Sequence, residues 1–545
     1  MKRNLLLVAL FAATVAQPAF AAAPGGKPNI VIILADDLGF SDLGCYGSEI
    51  FTPYLDRLAG AGMRFTQFYN TARCCPTRAC LLTGLYPHQA GIGHMTDDYR
   101  RPGYRGDLNQ QCVTIAEVLR GGGYQTLMCG KWHVTPHIGP EGPKHNWPKQ
   151  RGFDHFFGTI AGAGDYFNPV SLTQENQQIR PTGDFYYTEA IAQKAGEMIE
   201  EAARYDKPFF LYVAFTAPHW PLHARPNDIA KYQGKYSAGW DELREKRHKR
   251  MIDLGIVDRR WPLTPRDSRV LAWEKAPYHE WHQRRMEVYA AQVESMDRGV
   301  GRIVDKLQQA GRLDNTLLMF LADNGGCAEE IAANWTGPHI PEVARDGRSV
   351  QVGNRPSVMP GAADSYQSYG VPWANLSNTP FRLYKHWVHE GGIAAPLIVY
   401  WPHHVPKGNT IVPDPAHVVD IMATCLEASE TPYPKTLAGY PILPTEGESM
   451  VPIFRGQGRV RSPIFWEHEG NRAVRDGKWK LVARHGGDWE LYDMEADRTE
   501  MTDRAAEVPA MVKNLSDLYD AWAKRVRVEP WEKVSPGARK AKVKP

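Results

Sequence analysis

The sequence predicts an α/β fold, a sheet of buried strands with helices against both faces. Three observations carry that prediction. Residues 29–34 read Asn-Ile-Val-Ile-Ile-Leu, a β-branched apolar run of the kind found in parallel strands covered on both sides. Similar runs then alternate with amphipathic, capped stretches, the order expected of a layered α/β domain. The composition is that of a packed globule: 545 residues, 43% apolar and 23% charged, which excludes disorder or coiled coil as the main architecture. Lys and Arg number 64 against 61 Asp and Glu; a net charge of +3 on this length argues against a dedicated nucleic-acid binder.

The elements run in order along the chain. Thr52-Pro53 reads as an N-cap and a first-turn proline opening a helix. Thr114-Ile-Ala-Glu117 is a capping box whose helix stops at Gly121-Gly122-Gly123. Residues 124–129, 209–215, 316–321 and 395–401 read as strands, 287–310 as a long amphipathic helix and 418–428 as another helix. Two stretches break the alternation. Residues 221–285 are charge-rich and hold Trp240, Trp261, Trp273 and Trp281; residues 327–378 are rich in Gly, Pro and Asn. Both read as insertions of the kind that wall active sites. The basic run from Arg244 to Arg250 reads as a solvated helix face. Beyond residue 440 short alternating segments, such as 472–482 and 489–492, predict an antiparallel sheet, and 508–526 a helix.

Met1-Lys2-Arg3, an apolar stretch from Leu5 to Ala16 and Ala19-Phe20-Ala21 form an export signal with a small-residue cleavage site. No later stretch approaches the length needed to span a bilayer. The protein is therefore expected to be exported, periplasmic or secreted. The expected organisation is a signal peptide over 1–21, a catalytic α/β domain over 22–440 carrying both insertions, a C-terminal subdomain over 441–530 and a basic tail over 531–545. Eight cysteines are few for a disulfide scaffold, and three of them, Cys74, Cys75 and Cys80, crowd into seven residues without metal-finger spacing.

Polar groups cluster just after the strands. Asp36 and Asp37 follow the first; Lys131 and His133 follow the one ending at Cys129; His219 follows 209–215; Asp323 and Asn324 follow 316–321. Open α/β sheets bind ligands at the carboxyl ends of their strands, so these residues predict one crevice. Asp36, Asp37, Asp323 and Asn324 are hard oxygen donors suited to Ca²⁺ or Mg²⁺. Arg78, Lys131 and Lys385 with two histidines suit an oxyanion of the sulfate or phosphate kind.

Residues 74–84 read Cys-Cys-Pro-Thr-Arg-Ala-Cys-Leu-Leu-Thr-Gly, which resembles the sulfatase signature Cys-x-Pro-x-Arg followed by Leu and Thr-Gly. Asp-Asp-Leu-Gly at 36–39, Gly-Lys-Trp-His at 130–133, Pro-His-Trp-Pro at 218–221, Asp-Asn-Gly at 323–325, the segment from Phe381 to Gly392, and residues 475–481 and 490–493 resemble further motifs of that family in order. Val134 departs from a common Leu. The whole is most similar to bacterial arylsulfatases. The resemblance implies an alkaline-phosphatase-like sandwich, with a large mixed, mostly parallel sheet flanked by helices and a smaller C-terminal antiparallel-sheet subdomain.

It implies further that a maturation enzyme converts Cys74 to formylglycine, whose hydrate attacks sulfur, and that Asp36, Asp37, Asp323 and Asn324, with residue 74, hold one Ca²⁺ (Mg²⁺ the runner-up). Asp323 would accept a proton, and Arg78 would hold the diol and the carboxylates. Lys131 and Lys385 would bind sulfate oxygens, His219 would bind and protonate the leaving oxygen, and His133 would take the proton that drives sulfate release. The substrate expected is a small-molecule or carbohydrate sulfate ester. The alternatives are a phosphonate or phosphate ester hydrolase on the same scaffold and a noncatalytic carbohydrate- or sulfate-binding protein.

Overall fold

Strand Asn29–Asp36 is buried along its whole length, as a run without polar alternation must be. The structure is a computed structural model describing residues 26–406 and 408–535; the expected export signal lies outside the described residues. Thr316–Ala322 and Phe209–Pro218 flank Asn29–Asp36 on either side, both parallel to it. Gln125–Lys131 and His155–Thr159 extend the parallel array beyond Phe209–Pro218. On the other side Ala394–Tyr400 runs antiparallel to Thr316–Ala322 and to Met63–Tyr69. Shorter strands at the margins complete an 11-stranded mixed sheet. The large, mostly parallel sheet flanked by helices is thus as expected.

This topology brings one edge together. The parallel strands end side by side, so the segments leaving Asp36, Lys131, Pro218 and Ala322 meet at one rim. Ala394–Tyr400 runs the other way, and its first residue, Ala394, pairs with Tyr69. The segment that precedes it, with Lys385, therefore reaches the same rim, as does the chain leaving Met63–Tyr69 toward Cys74.

The helices obey the local signals with instructive exceptions. Thr114 and Glu117 form the expected capping box, Thr114 Oγ1 accepting from the Glu117 amide at 3.1 Å and Glu117 Oε2 from the Thr114 amide at 2.7 Å. Thr52 does not cap helix Pro53–Ala61. Its hydroxyl accepts from the Gly44 amide, and Asp297, from the long helix His279–Gln309, takes the amides of Tyr54 and Leu55 at 3.2 and 2.8 Å. A tertiary carboxylate has replaced the local cap. The basic run is not a wholly solvated face. Arg244 and Arg247 are buried in helix Gly239–Asp253, where Arg247 pairs with Asp42 and Glu49 and Arg244 donates to the carbonyls of Asn375 and Thr264. Only every third or fourth position faces inward, which a run of like residues conceals.

Strands Ile464–His468, Asn471–Asp476, Trp479–Ala483 and Glu490–Asp493 form the antiparallel C-terminal sheet, and helix Pro509–Val526 lies on it with Trp522 stacked on Phe465. Buried polar contacts dock this sheet. Lys480 pairs with Glu390 and Glu500 at 2.8 Å each, Arg498 with Glu390 at 2.9 Å, and Trp466 Nε1 donates to the Asn70 carbonyl. The expected basic tail over 531–545 begins with packed structure. Trp531–Val534 is a helical turn with Trp531 and Val534 buried, and 536–545 lie outside the described residues. All eight cysteines are buried and free. Among the described residues no helix is long and apolar enough to cross a membrane.

Candidate active site

Asp36, Asp37, Cys74, Arg78, Lys131, His133, His219, Asp323, Asn324 and Lys385 are all buried at the rim where the strands end. The central strand delivers Asp36 at its last position. Asp37 then turns with φ +64°, a conformation uncommon for a residue with a Cβ and one that redirects its carboxylate. Its amide donates to Asp323 Oδ1 at 3.1 Å, tying the two strand ends together. Asn324 Nδ2 donates to Asp37 Oδ1 at 2.6 Å.

Three cations face these three carboxylates. Arg78 donates to Asp323 Oδ2 and to the Lys131 carbonyl at 3.0 Å each and lies 3.5 Å from Asp36 Oδ2. Lys131 Nζ donates to Asp36 Oδ2, and Lys385 Nζ to Asp37 Oδ2 at 3.0 Å. Gly130 sets up Lys131: its φ is +105°, and a Cβ there would lie 1.9 Å from the Ala214 carbonyl oxygen of the neighbouring strand.

Two buried acceptors, Asp36 Oδ1 and Asn324 Oδ1, have no hydrogen-bond partner. Burial and then the negative charge of Asp36 push the Asp323 carboxyl well above the usual range. Burial works the same way on Asp36, but Lys131, His219 and Arg78 outweigh it and hold that carboxyl at about 2. Crowded carboxylates, unpartnered oxygens and an all-oxygen donor set fit a hard divalent cation, which would relieve the repulsion and occupy the free lone pairs.

Cys74 opens helix Cys74–Thr83, where amide groups point outward and favour negative charge. A hydrogen bond with Cys75 holds its thiol well below the usual range; burial opposes this, and Lys131 and His133 assist it. Cys75, which falls at the first x of the Cys-x-Pro-x-Arg match, also faces the pocket, with Sγ 3.1 Å from His133 Nε2. Burial depresses the His133 imidazole to about 4. His219 Nδ1 lies 2.6 Å from the Trp220 carbonyl, an acceptor, so Nδ1 carries a proton and Nε2 is the titrating atom facing Lys385 and Asp37, each at 3.4 Å. Burial lowers its pKa, and the Asp37 charge opposes that.

The insertion over 327–378 supplies part of the outer wall as expected, but the sequence reading named none of the residues that form it. Glu329 lies 3.8 Å from Lys385, bonds Arg73 and His386 at 3.0 and 3.1 Å, and accepts from Trp220 Nε1 at 2.7 Å. Trp335 and His339 pack against Trp220. Arg73 and His386 adjoin Cys74 and Lys385, a signal that could have found them; Glu329, Trp335 and His339 come from the insertion and carry none. That insertion is not loop alone: it pairs Gln351–Val352 with Ser365–Tyr366 and contains helix Gly370–Ser377.

Residues 28–431 match the family model described as Sulfatase. The chain belongs to the sulfatase family. A second model, the C-terminal region of N-sulphoglucosamine sulphohydrolase, matches residues 381–521. An uncharacterised sulfatase of Schizosaccharomyces pombe is 34% identical over 91% of this chain and 93% of its own length. The arylsulfatase of Klebsiella aerogenes is 34% identical over 81% of this chain and 95% of its own. Among solved structures, Ps i-CgsB in complex with k-i-k-neocarrahexaose is 25% identical with a TM-score of 0.65, covering 91% of this chain and 93% of that one. This sulfatase is accordingly a sulfuric ester hydrolase, and its family implies formylglycine and a divalent metal.

Proposed function

We propose that this sulfatase hydrolyses sulfate monoesters, of a small molecule or a carbohydrate, to an alcohol or phenol and inorganic sulfate, with formylglycine at residue 74 and one Ca²⁺. The observation that carries the reading is the convergence of Cys74, four oxygen donors and three cations in one buried site. Formylglycine at residue 74 supplies a hydrated aldehyde, a nucleophile that can regenerate its carbonyl as a thiol cannot. Asp36, Asp37, Asp323 and Asn324, with residue 74, would hold the cation. When bound, it offsets charge on the transferring group and acidifies the nucleophilic hydroxyl.

The remaining work falls to protein groups. Arg78 fixes the Asp323 and Asp36 carboxylates and takes no part in proton transfer, since a guanidinium stays charged. Lys131 and Lys385 exchange their carboxylate contacts for sulfate oxygens. Asp323 accepts the proton of the attacking hydroxyl. His219 takes up a proton at Nε2 once the sulfate anion is bound beside it and gives it to the departing oxygen, and His133 removes the proton whose loss releases sulfate. Export to the periplasm or medium accords with the leader-like sequence over 1–21. Cys74 is only 1% exposed, so the maturation enzyme must act before folding.

The test joins mass spectrometry to a substrate panel. Peptides spanning 74–78 should carry a hydrazide-reactive aldehyde at residue 74 and not at Cys75 or Cys80. Sulfate esters should turn over faster than phosphate and phosphonate esters. An active protein with an intact Cys74 thiol, or a preference for phosphonates, would overturn the reading.

A further inference from the structure

Outside this pocket, three imidazoles surround one carboxylate. Glu469 Oε1 lies 3.0 Å from His94 Nε2 and 3.7 Å from His468 Nε2, and Glu469 Oε2 lies 2.9 Å from His386 Nδ1. His94 belongs to the loop after helix Pro87–Ala90, whereas His468 and Glu469 sit at the first hairpin of the C-terminal sheet. The rings of His94 and His468 stack with centroids 5.3 Å apart and planes 13° apart. One ligand atom from each of His94, His468 and Glu469 lies within 4.8 Å of the others.

Two features set this cluster apart from an ordinary ion pair. His468 is fully buried, yet neither ring nitrogen has a hydrogen-bond partner. A buried imidazole with both nitrogens unmet is a costly arrangement unless something occupies one of them. The turn itself breaks a local rule. Residues 469 and 470 form a two-residue hairpin connection with φ of +53° and +79°, where Asn-Gly or Asp-Gly is favoured; here a glutamate takes the first place. That conformation turns the Glu469 carboxylate toward the two imidazoles.

We propose that His94, His468 and Glu469 form a second metal site, of the zinc type, that pins the C-terminal sheet to the catalytic domain. Two neutral imidazoles and a carboxylate are donors suited to Zn²⁺, unlike the all-oxygen set of the catalytic pocket. The outer contacts orient the ligands as such sites require. With an ion on Nε2, the His94 proton would sit on Nδ1 and be donated to the Tyr99 hydroxyl, 3.2 Å away. His386 holds Glu469 Oε2, leaving Oε1. Trp531 covers His94 with ring centroids 4.8 Å apart. Three protein ligands leave a fourth position for water.

The test uses the full-length protein, stripped with a chelator and returned to Ca²⁺, to which ZnCl₂ alone is then added. Three other clusters could take zinc: the surface group Asp107, His137 and His145, the thiol group Cys74, Cys75 and His133, and the catalytic group Asp36, Asp37 and His219, which the returned Ca²⁺ keeps occupied. His137→Gln controls for the first. Co²⁺ in place of Zn²⁺ controls for the second, because thiolate ligands add an intense near-ultraviolet band that nitrogen and oxygen ligands lack. The expected result is one zinc per chain that survives gel filtration, a raised unfolding temperature, and visible Co²⁺ bands without thiolate charge transfer. Glu469→Gln and His94→Gln should each weaken binding by at least about 10–100-fold, and His137→Gln should not. Circular dichroism checks each fold; the two ligand variants lie in different segments, so one can stand in for the other. The proposal is overturned if wild-type protein takes up no zinc beyond what His137→Gln removes, if its Co²⁺ spectrum is that of thiolate ligation alone, or if Glu469→Gln binds zinc as tightly as wild type.

Discussion

Replacing His219 by Ala should separate substrates by their leaving groups. The Nδ1 proton of His219 is committed to the Trp220 carbonyl, so Nε2 is the atom through which the ring can give up a proton to the pocket. A nitrophenolate departs as a stable anion, whereas a sugar or alkyl alkoxide must be protonated as it leaves. General acid catalysis is typically worth about 10²–10⁴-fold, so turnover of an alkyl or sugar sulfate should fall by that much. Nitrophenyl sulfate should lose no more than about tenfold, the lower side of that range being out of reach when the anion leaves unaided. Lys385, 3.4 Å from Nε2, is committed to the sulfate oxygens in the proposed complex and is a weaker acid, so it does not substitute. The assay is kcat and KM on both substrates under conditions where chemistry limits the rate. Added imidazole should restore part of the alkyl sulfate activity of the variant and little of its aryl activity. Equal losses on the two substrates, with no rescue, would refute the assignment of His219 as general acid.

Three further outcomes are expected. Lys480→Met leaves Glu390 and Glu500 buried without their shared cation, a loss worth about 3–5 kcal/mol; urea unfolding followed by tryptophan fluorescence should show it, and adding Glu390→Gln should recover part. Asp297, buried against helix Pro53–Ala61, has its pKa raised to about 7 by burial, against the pull of the Leu55 and Tyr54 amides. Its folded-state pKa exceeds the unfolded value, so its contribution to stability is complete below about pH 4 and is lost as pH rises to 7, with a slope of at most about 1.4 kcal/mol per unit. Asp297→Asn should flatten that slope, and an unchanged dependence of stability on pH would disprove it. Finally, chelation should abolish sulfate ester turnover and Ca²⁺ should restore it more fully than Mg²⁺, measured as activity against metal content; full activity in metal-free protein would exclude the oxygen-ligand site.

The sequence alone determined the fold class and most of the pocket. Short, β-branched apolar runs alternating with capped helices fit strands buried on both faces, and the polar residues that follow them at 36–37, 131, 219 and 323–324 gather where parallel strands end. Cys74, Pro76 and Arg78 stood out because a short spacing carried the nucleophile motif. Tertiary structure decided the rest, since proximity between segments hundreds of residues apart leaves no local trace. Asp297 displaced Thr52 as the cap of a helix more than 200 residues away because a buried carboxylate from the packed neighbour reaches both amides. Arg247 reads as one more surface charge until the fold sets Asp42 and Glu49 beside it. Glu329 and Trp335 lie in an insertion with no motif and reach the pocket wall only through the path of that chain. His94 and Glu469, 375 positions apart, meet because the C-terminal sheet docks on the catalytic domain, and no periodicity or spacing encodes a contact between two loops.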